Sequence, residues 1–186
     1  VGTGAGCIFR GESGWHGANY EVPPQCSEIP PISHELGQWC AYPDFREIEK
    51  YTGSFAARNY EIFRDSLEAH GLLDMADAFV QSSGAFQLEC YKQDIEAHLR
   101  TPSMGGFQLL ELHDFPGQGT APIGLLNIFW ESKGYVTPEL FRRFCSQTVP
   151  LARLRQTLFR ADETLQVSVD VAHFGADRLA AAVLTW

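Results

Sequence analysis

GFQLLELHDF, residues 106–115, is the stretch on which the reading of the fold turns. Phe107, Leu109, Leu110 and Leu112 make its first part almost continuously apolar, the pattern of a strand covered on both faces, as in a parallel sheet. His113 and Asp114 then open a polar run, HDFPGQG, rich in turn-forming residues. A second stretch of the same design, PISHELG at 31–37, reads as a brief buried strand with Glu35 at or just past its C-terminal end.

Between these two stretches the sequence is helical. Residues 46–51 read as a short turn of helix stopped near Gly53. Tyr60, Phe63, Leu67 and Leu72 recur at three- to five-residue steps and predict an amphipathic helix over 58–70, ended by Gly71. Over 73–99, Ala76, Phe79, Val80, Leu88, Tyr91, Ile95 and Leu99 share one side of a longer helix, with Gly84 as the place for a break. It stops before Pro102.

After residue 115 a helix is expected over 121–131. The start of another is well signalled, with Thr137 as N-cap, Pro138 in the first helical position and Glu139 in the first turn. The pattern changes after Arg153. Leu165, Val167, Val169 and Val171 alternate with Thr164, Gln166, Ser168 and Asp170, a period of two that predicts an antiparallel strand with one buried and one wet face. Gly175, Ala176 and Asp177 turn the chain, and 179–186 return as a second strand, so that Trp186 lies inside a strand. Two strands cannot close a sandwich, and an isolated ribbon is marginal in water, so these strands read as the start of a larger β domain.

Strand, helices, strand, helix, with polar residues after each strand, is the grammar of a β/α barrel, whose chemistry sits on loops at the C-terminal ends of the strands. The expected fold class is therefore α/β. Residues 1–153 read as the C-terminal portion of a (β/α)8 TIM barrel, and residues 154–186 as the first strands of a β-sandwich.

Composition narrows the function. The formal net charge of −9 repels phosphate backbones and anionic lipid, which argues against nucleic acid and membrane surfaces as partners and leaves neutral substrates such as sugars. No run of 18 or more apolar residues exists to span a bilayer. Hydrophobic residues at 45% and aromatics at 12% argue against disorder. The five cysteines are scattered and odd in number, with no C-x-x-C pair, so free thiols are expected, with one disulfide left open. Gly2-Thr3-Gly4-Ala5-Gly6 lacks a preceding strand and a correctly spaced third glycine, and is rejected as a phosphate loop. Residues 1–31 read as irregular, a glycine-rich loop carrying Trp15, His16 and Tyr20.

The two polar clusters, His34-Glu35 and His113-Asp114, would face the same mouth of a barrel. Carboxylates so placed suit glycoside hydrolysis, where two of them flank the scissile bond. Structural carboxylates that cap helices or pair with Arg and Lys are the competing reading. His34 would orient Glu35 or bind a sugar hydroxyl, or else sit hydrogen-bonded in the core. Trp39 and Tyr42 would stack on a sugar ring or simply pack. Gln108 and Gln118 are further candidates to line a pocket. His16, His34 and His113 share no ligand-like spacing, so no metal is expected. His70 and His98 lie near helix C-termini, where they suit solvent-side or dipole-complementing roles.

PPISHELG at 30–37 resembles the seventh barrel strand of glycoside hydrolase family 2, the family of β-galactosidases and β-glucuronidases, in which a short apolar strand ends in Glu, an aromatic or apolar residue, and Gly. Residues 86–91, FQLECY, stand in a helix comparable to one where members often read F-x-E-E-Y-Q. GFQLLELHDF is similar to the eighth strand, G-E-F-I-W-N-F-A-D-F. Asp114-Phe115 matches its closing pair, while Leu110 and Glu111 replace its tryptophan and asparagine. HELGQWCAYPDF and DFPGQGTAPIG look like a divergent β-galactosidase-like group with added sugar-binding domains.

The resemblance implies a fragment of a retaining hydrolase that cleaves terminal β-glycosides of oligo- or polysaccharides, without metal or cofactor. Glu35 would be the nucleophile, and His34, Trp39, Gln108, Glu111, His113 and Asp114 would bind the carbohydrate substrate. The family's acid/base lies in an Asn-Glu pair on the fourth strand. This chain has no such pair, so the acid/base is expected in the remainder of its own parent chain, and the piece alone is expected to be inactive. The resemblance also implies a periplasmic or secreted parent. The departures at Leu110 and Glu111 favour the alternative, a non-catalytic carbohydrate-binding or scaffold protein on a degenerate glycosidase fold.

Overall fold

The computed structural model describes residues 2–3, 19–20, 29–117, 121–154, 156 and 158–185. In chain order these form β1 (Gly2–Thr3), β2 (Ile32–Leu36), α1 (Arg58–Ala69), α2 (Ala76–Arg100), β3 (Gly106–Leu109), α3 (Pro138–Arg142), β4 (Thr148–Arg153) and β5 (Ser168–His173), with 3-10 turns at Phe45–Lys50 and Leu73–Met75. Trp15, His16, Cys7, Cys26, Gln118, Trp186 and most of the glycine-rich segment lie outside the described residues.

One sheet has the strand order β1-β2-β3 and a second pairs β4 with β5. β1 runs parallel to β2, with Gly2 opposite Ile32 and Thr3 opposite Ser33. β2 and β3 are parallel as well. Gly105 N donates to Pro31 O at 2.8 Å, and five residues on Leu110 N donates to Leu36 O at 2.9 Å, so the offset between the strands is constant. Parallel neighbours need a long crossover, and here α1 and α2 supply it.

The contacts divide the chain into two compact units, one of Val1–Ser33, Lys92–Phe107 and Glu139–Trp186, the other of His34–Tyr91 and Gln108–Pro138. The second unit holds Tyr60 and Tyr91 with almost no exposed surface, together with Leu36, Ala41, Leu67, Val80, Ile123 and Leu125. Gly84, Gln87 and Tyr91 line up at three- and four-residue steps on one face of α2. Gln87 is buried yet satisfied: its Nε2 donates to Trp39 O at 2.5 Å and Pro122 O at 3.1 Å, and its Oε1 accepts from Tyr135 Oη at 2.8 Å. Tyr91 Oη reaches Gly37 O at 3.0 Å and Ile123 O at 2.8 Å. These bonds fasten the chain beyond β2 and the loop beyond β3 to one helix. Gly37 is required where it stands. Its φ is +90°, and the Tyr91 ring fills the place a Cβ would occupy.

In the first unit Ile95, Ala97, Val149 and Leu151 are buried. Arg100 is buried beside Glu96, to which its Nη1 donates at 3.3 Å. Arg153 joins three segments of the unit, through Asn19 Oδ1 and Asp170 Oδ2, each at 2.6 Å, and Arg100 O at 3.3 Å.

Several elements differ from the sequence expectation. Residues 121–131 are not helical. Asn127 Oδ1 accepts from the backbone of both Phe129 and Glu131, which gives the chain an alternative to helical bonding. Residues 178–185 contain no strand. β5 pairs instead with β4, Thr148 opposite His173 through Arg153 opposite Ser168. Pro150 hid β4 in the sequence, since proline cannot donate to a ladder and is confined to places such as an edge strand. Val169 and Val171 lie opposite Ala152 and Pro150, on the face away from Val149 and Leu151, and remain 42% and 50% exposed. The valine face expected to be buried is the open one. His98 also departs from expectation. It is buried, edge-on to the Tyr20 ring at 4.8 Å, with Nδ1 on Asp94 O at 2.6 Å, and burial lowers its pKa. Cys40, Cys90 and Cys145 are free thiols.

Candidate functional site

Glu35, His34, Trp39, Gln108, Glu111, His113 and Asp114 all fall within the second unit. Glu35 sits one residue before the end of β2 with φ at +58°, left-handed backbone that a glutamate adopts only under constraint. A residue with a Cβ loses about 1–2 kcal/mol in that region. The conformation is held on its C-terminal side by the Leu110–Leu36 ladder bond and the Tyr91–Gly37 clamp. Gln38 Nε2 donates to Glu35 Oε2 at 3.1 Å, and His34 Nδ1 lies 3.9 Å from Oε1. With its side chain 31% exposed, the carboxylate is oriented but reachable.

Beyond β3 the chain behaves differently. Gln108 is exposed and Glu111 half-buried, while Asp114 has no exposed surface. Asp114 Oδ1 accepts from Gly124 N at 2.9 Å and Lys133 Nζ at 2.6 Å, and Lys133 also donates to Gly124 O at 2.9 Å. Burial pushes Asp114 above the usual carboxylate value and Lys133 below the usual ammonium value, while their mutual attraction acts the other way. Asp114 therefore ties Gly124 and Lys133 together around an interior ion pair. His113 is half-buried, its ring packed on Trp130 with centroids 4.4 Å apart. Trp39 is half-buried, and Tyr42 packs among Phe45, Phe63 and Phe79.

Glu47 is the group that sequence reading missed. It is buried near the Asp114–Lys133 pair, and both residues line a cavity of about 10 Å³, the scale of a single water. Glu47 Oε2 and Asp114 Oδ2 are buried without a hydrogen-bond partner among the described residues. Burial, reinforced by the Asp114 charge, pushes Glu47 up to about 7 against a hydrogen bond from Asn127. Its only sequence signal was an acidic residue five positions after Tyr42 and two after Phe45, which reads as a wet helix face.

The raised value makes a prediction. The folded protein holds a proton on Glu47 that the unfolded chain releases near pH 4.5, so stability falls as pH rises from 4.5 through about 7. The gap corresponds to about 3 kcal/mol. Glu47→Gln, neutral at every pH, is expected to remove that slope and unfold later than wild type in urea at pH 8. Equal slopes for the two proteins between pH 5 and 8 would show that the carboxyl carries no such load.

Among the described residues no group of three His, Cys, Asp or Glu is placed to hold a metal ion. No described helix is long and apolar enough to cross a membrane. Comparison with models of known families and with curated proteins finds no match to this chain.

Proposed function

We propose that the chain is part of a retaining β-glycosidase of the β-galactosidase type, with Glu35 as nucleophile. The supporting observation is the backbone of Glu35, a left-handed glutamate clamped at the end of a parallel strand with its carboxylate oriented and accessible. Backbone strain at one residue, held by bonds from two neighbouring segments at Leu36 and Gly37, belongs to positions where placement of a reactive group matters more than stability. Neighbouring parallel strands β2 and β3 are compatible with the closing strands of a barrel, in which consecutive loops share one rim.

In the reaction Glu35 attacks the anomeric carbon as the bond to the aglycone oxygen breaks, and water later releases the sugar. His34 and Gln38 steer the carboxylate. Trp39, Gln108, Glu111 and His113 are assigned to the sugar hydroxyls and ring faces, and Asp114 shapes the loop that carries them. The acid that protonates the aglycone is assigned to the remainder of the parent protein, so residues 1–186 alone are inactive.

Trapping tests the nucleophile without depending on the acid. A dinitrophenyl β-D-galactoside with fluorine beside the anomeric carbon loses dinitrophenolate unaided, and fluorine slows hydrolysis of the adduct. The full-length protein is expected to gain one fluorosugar on the peptide containing Glu35, detected by mass spectrometry, and Glu35→Gln to gain none. An adduct on another carboxylate ends the assignment. Leu110 and Glu111 support the second reading, a sugar-binding protein without chemistry, which takes no adduct while still binding the sugar.

A further inference from the structure

Trp130 is 61% exposed, and its φ of +64° again puts a bulky residue in left-handed backbone. The turn beneath it is firmly built. Asn127 N donates to Glu131 O, Trp130 N donates to Asn127 O, and Asn127 Oδ1 accepts from Phe129 N and Glu131 N. Lys50 Nζ donates to Glu131 Oε2, and Asn127 Nδ2 reaches the same oxygen at 2.9 Å. Such bracing does not serve to bury the indole, which stays in water.

Its position follows from the sheet. Leu110 is bonded to Leu36, the residue after Glu35, and His113 lies three residues further along the same chain. Asp114 N donates to Leu126 O and Leu126 N to Leu112 O, which brings the Trp130 turn back against the end of β3. The indole then packs on His113. Glu35 and Trp130 are thus two partly exposed residues of one unit with left-handed backbone, Glu35 next to the end of β2 and Trp130 in the chain that follows β3.

We infer that Trp130 is the stacking platform of the sugar site, receiving the C–H face of a neutral β-pyranoside. This rests on the proposed glycosidase function and supplies a ring-face contact from the chain that follows β3. An indole presents an electron-rich face to polarised C–H groups and buries apolar surface that a pyranose otherwise leaves wet. A braced backbone keeps the ring from collapsing onto the protein when the site is empty, so less ordering is needed on binding.

The test uses the full-length protein and nitrophenyl β-D-galactoside, β-D-glucoside and β-D-glucuronide. On the best of these, Trp130→Ala is expected to raise KM at least about tenfold with a smaller change in kcat, because stacking acts on bound substrate and transition state alike. Trp130→Phe should recover most of the loss, and the melting temperature of both variants should stay at the wild-type value. An unchanged KM in Trp130→Ala, with wild type turning over normally, overturns the platform and leaves the glycosidase reading intact. So does a loss of melting temperature that parallels the loss of activity, since it marks a packing role. A wild type that turns over none of the three glycosides and takes no fluorosugar overturns the function and the platform with it.

Discussion

Glu35→Gln in the full-length protein is expected to lower kcat on aryl β-glycosides by on the order of 10⁴-fold or more, while sugar affinity changes little. The amide keeps the size and the bond from Gln38 but cannot form the glycosyl ester, so what disappears is the bond-forming partner and not the binding surface. Glu35→Gly makes the claim sharper in two ways. Glycine is relaxed at a φ of +58°, so this variant should unfold about 1 kcal/mol later than wild type although it has lost its chemistry. The space it leaves also admits azide. Azide entering from the vacated side inverts the anomeric centre once and gives the α-glycosyl azide, whereas rescue of an acid/base variant gives the β product. A Glu35→Gln protein with wild-type kcat, or a β-azide from Glu35→Gly, would remove Glu35 from the nucleophile's role.

The largest expected effect on stability lies at Lys133. Its ammonium is buried and bonded to Asp114 Oδ1 and Gly124 O, so Lys133→Met strands an interior carboxylate beside Glu47. Breaking a buried pair by removing one partner costs about 3–5 kcal/mol. Urea denaturation followed by circular dichroism should register that loss. Asp114→Leu added to Lys133→Met should restore a good part of it, because the stranded charge then no longer exists. A loss below about 1 kcal/mol in the single variant would mean that water reaches Asp114 freely, contrary to its complete burial. The loop bearing His113 and Trp130 hangs from this pair, so the single variant should also bind sugar poorly.

The elements legible in the sequence were those whose signal is local. The apolar spacing of 58–70 lies over α1, the run from 73 to 99 lies over a 3-10 turn and α2, and the Thr137-Pro138-Glu139 signature stands at the start of α3. Glu35 stood out because a carboxylate closing a short apolar strand is a local pattern too. What escaped depends on residues far apart in sequence. Nothing near Glu47 announces that the fold will bury it, and do so beside Asp114, 67 residues later, so that its pKa rises. Asn127 reads as one polar residue in a helical stretch until its side chain takes the backbone donors of Phe129 and Glu131. Pro150 masked β4, and the alternation of Leu165, Val167, Val169 and Val171 signalled a strand, which runs over Ser168–His173, without fixing which face would find cover. Trp130 carried no signal beyond being an aromatic residue, since its backbone angle and its contact with His113 are tertiary facts.

The Tyr135 ring lies against α2 in the space that a Cβ on residue 84 would fill, and from there its hydroxyl reaches Gln87. That fit has a direction in time. A helix with alanine at 84 has no room for the tyrosine in this place, whereas a helix with glycine at 84 tolerates a smaller residue at 135 with only a gap. Glycine therefore has to be acquired first and given up last. Among descendants of a common ancestor, the pair should show three of the four combinations of glycine or alanine with tyrosine or a smaller residue, and the alanine–tyrosine combination should be missing.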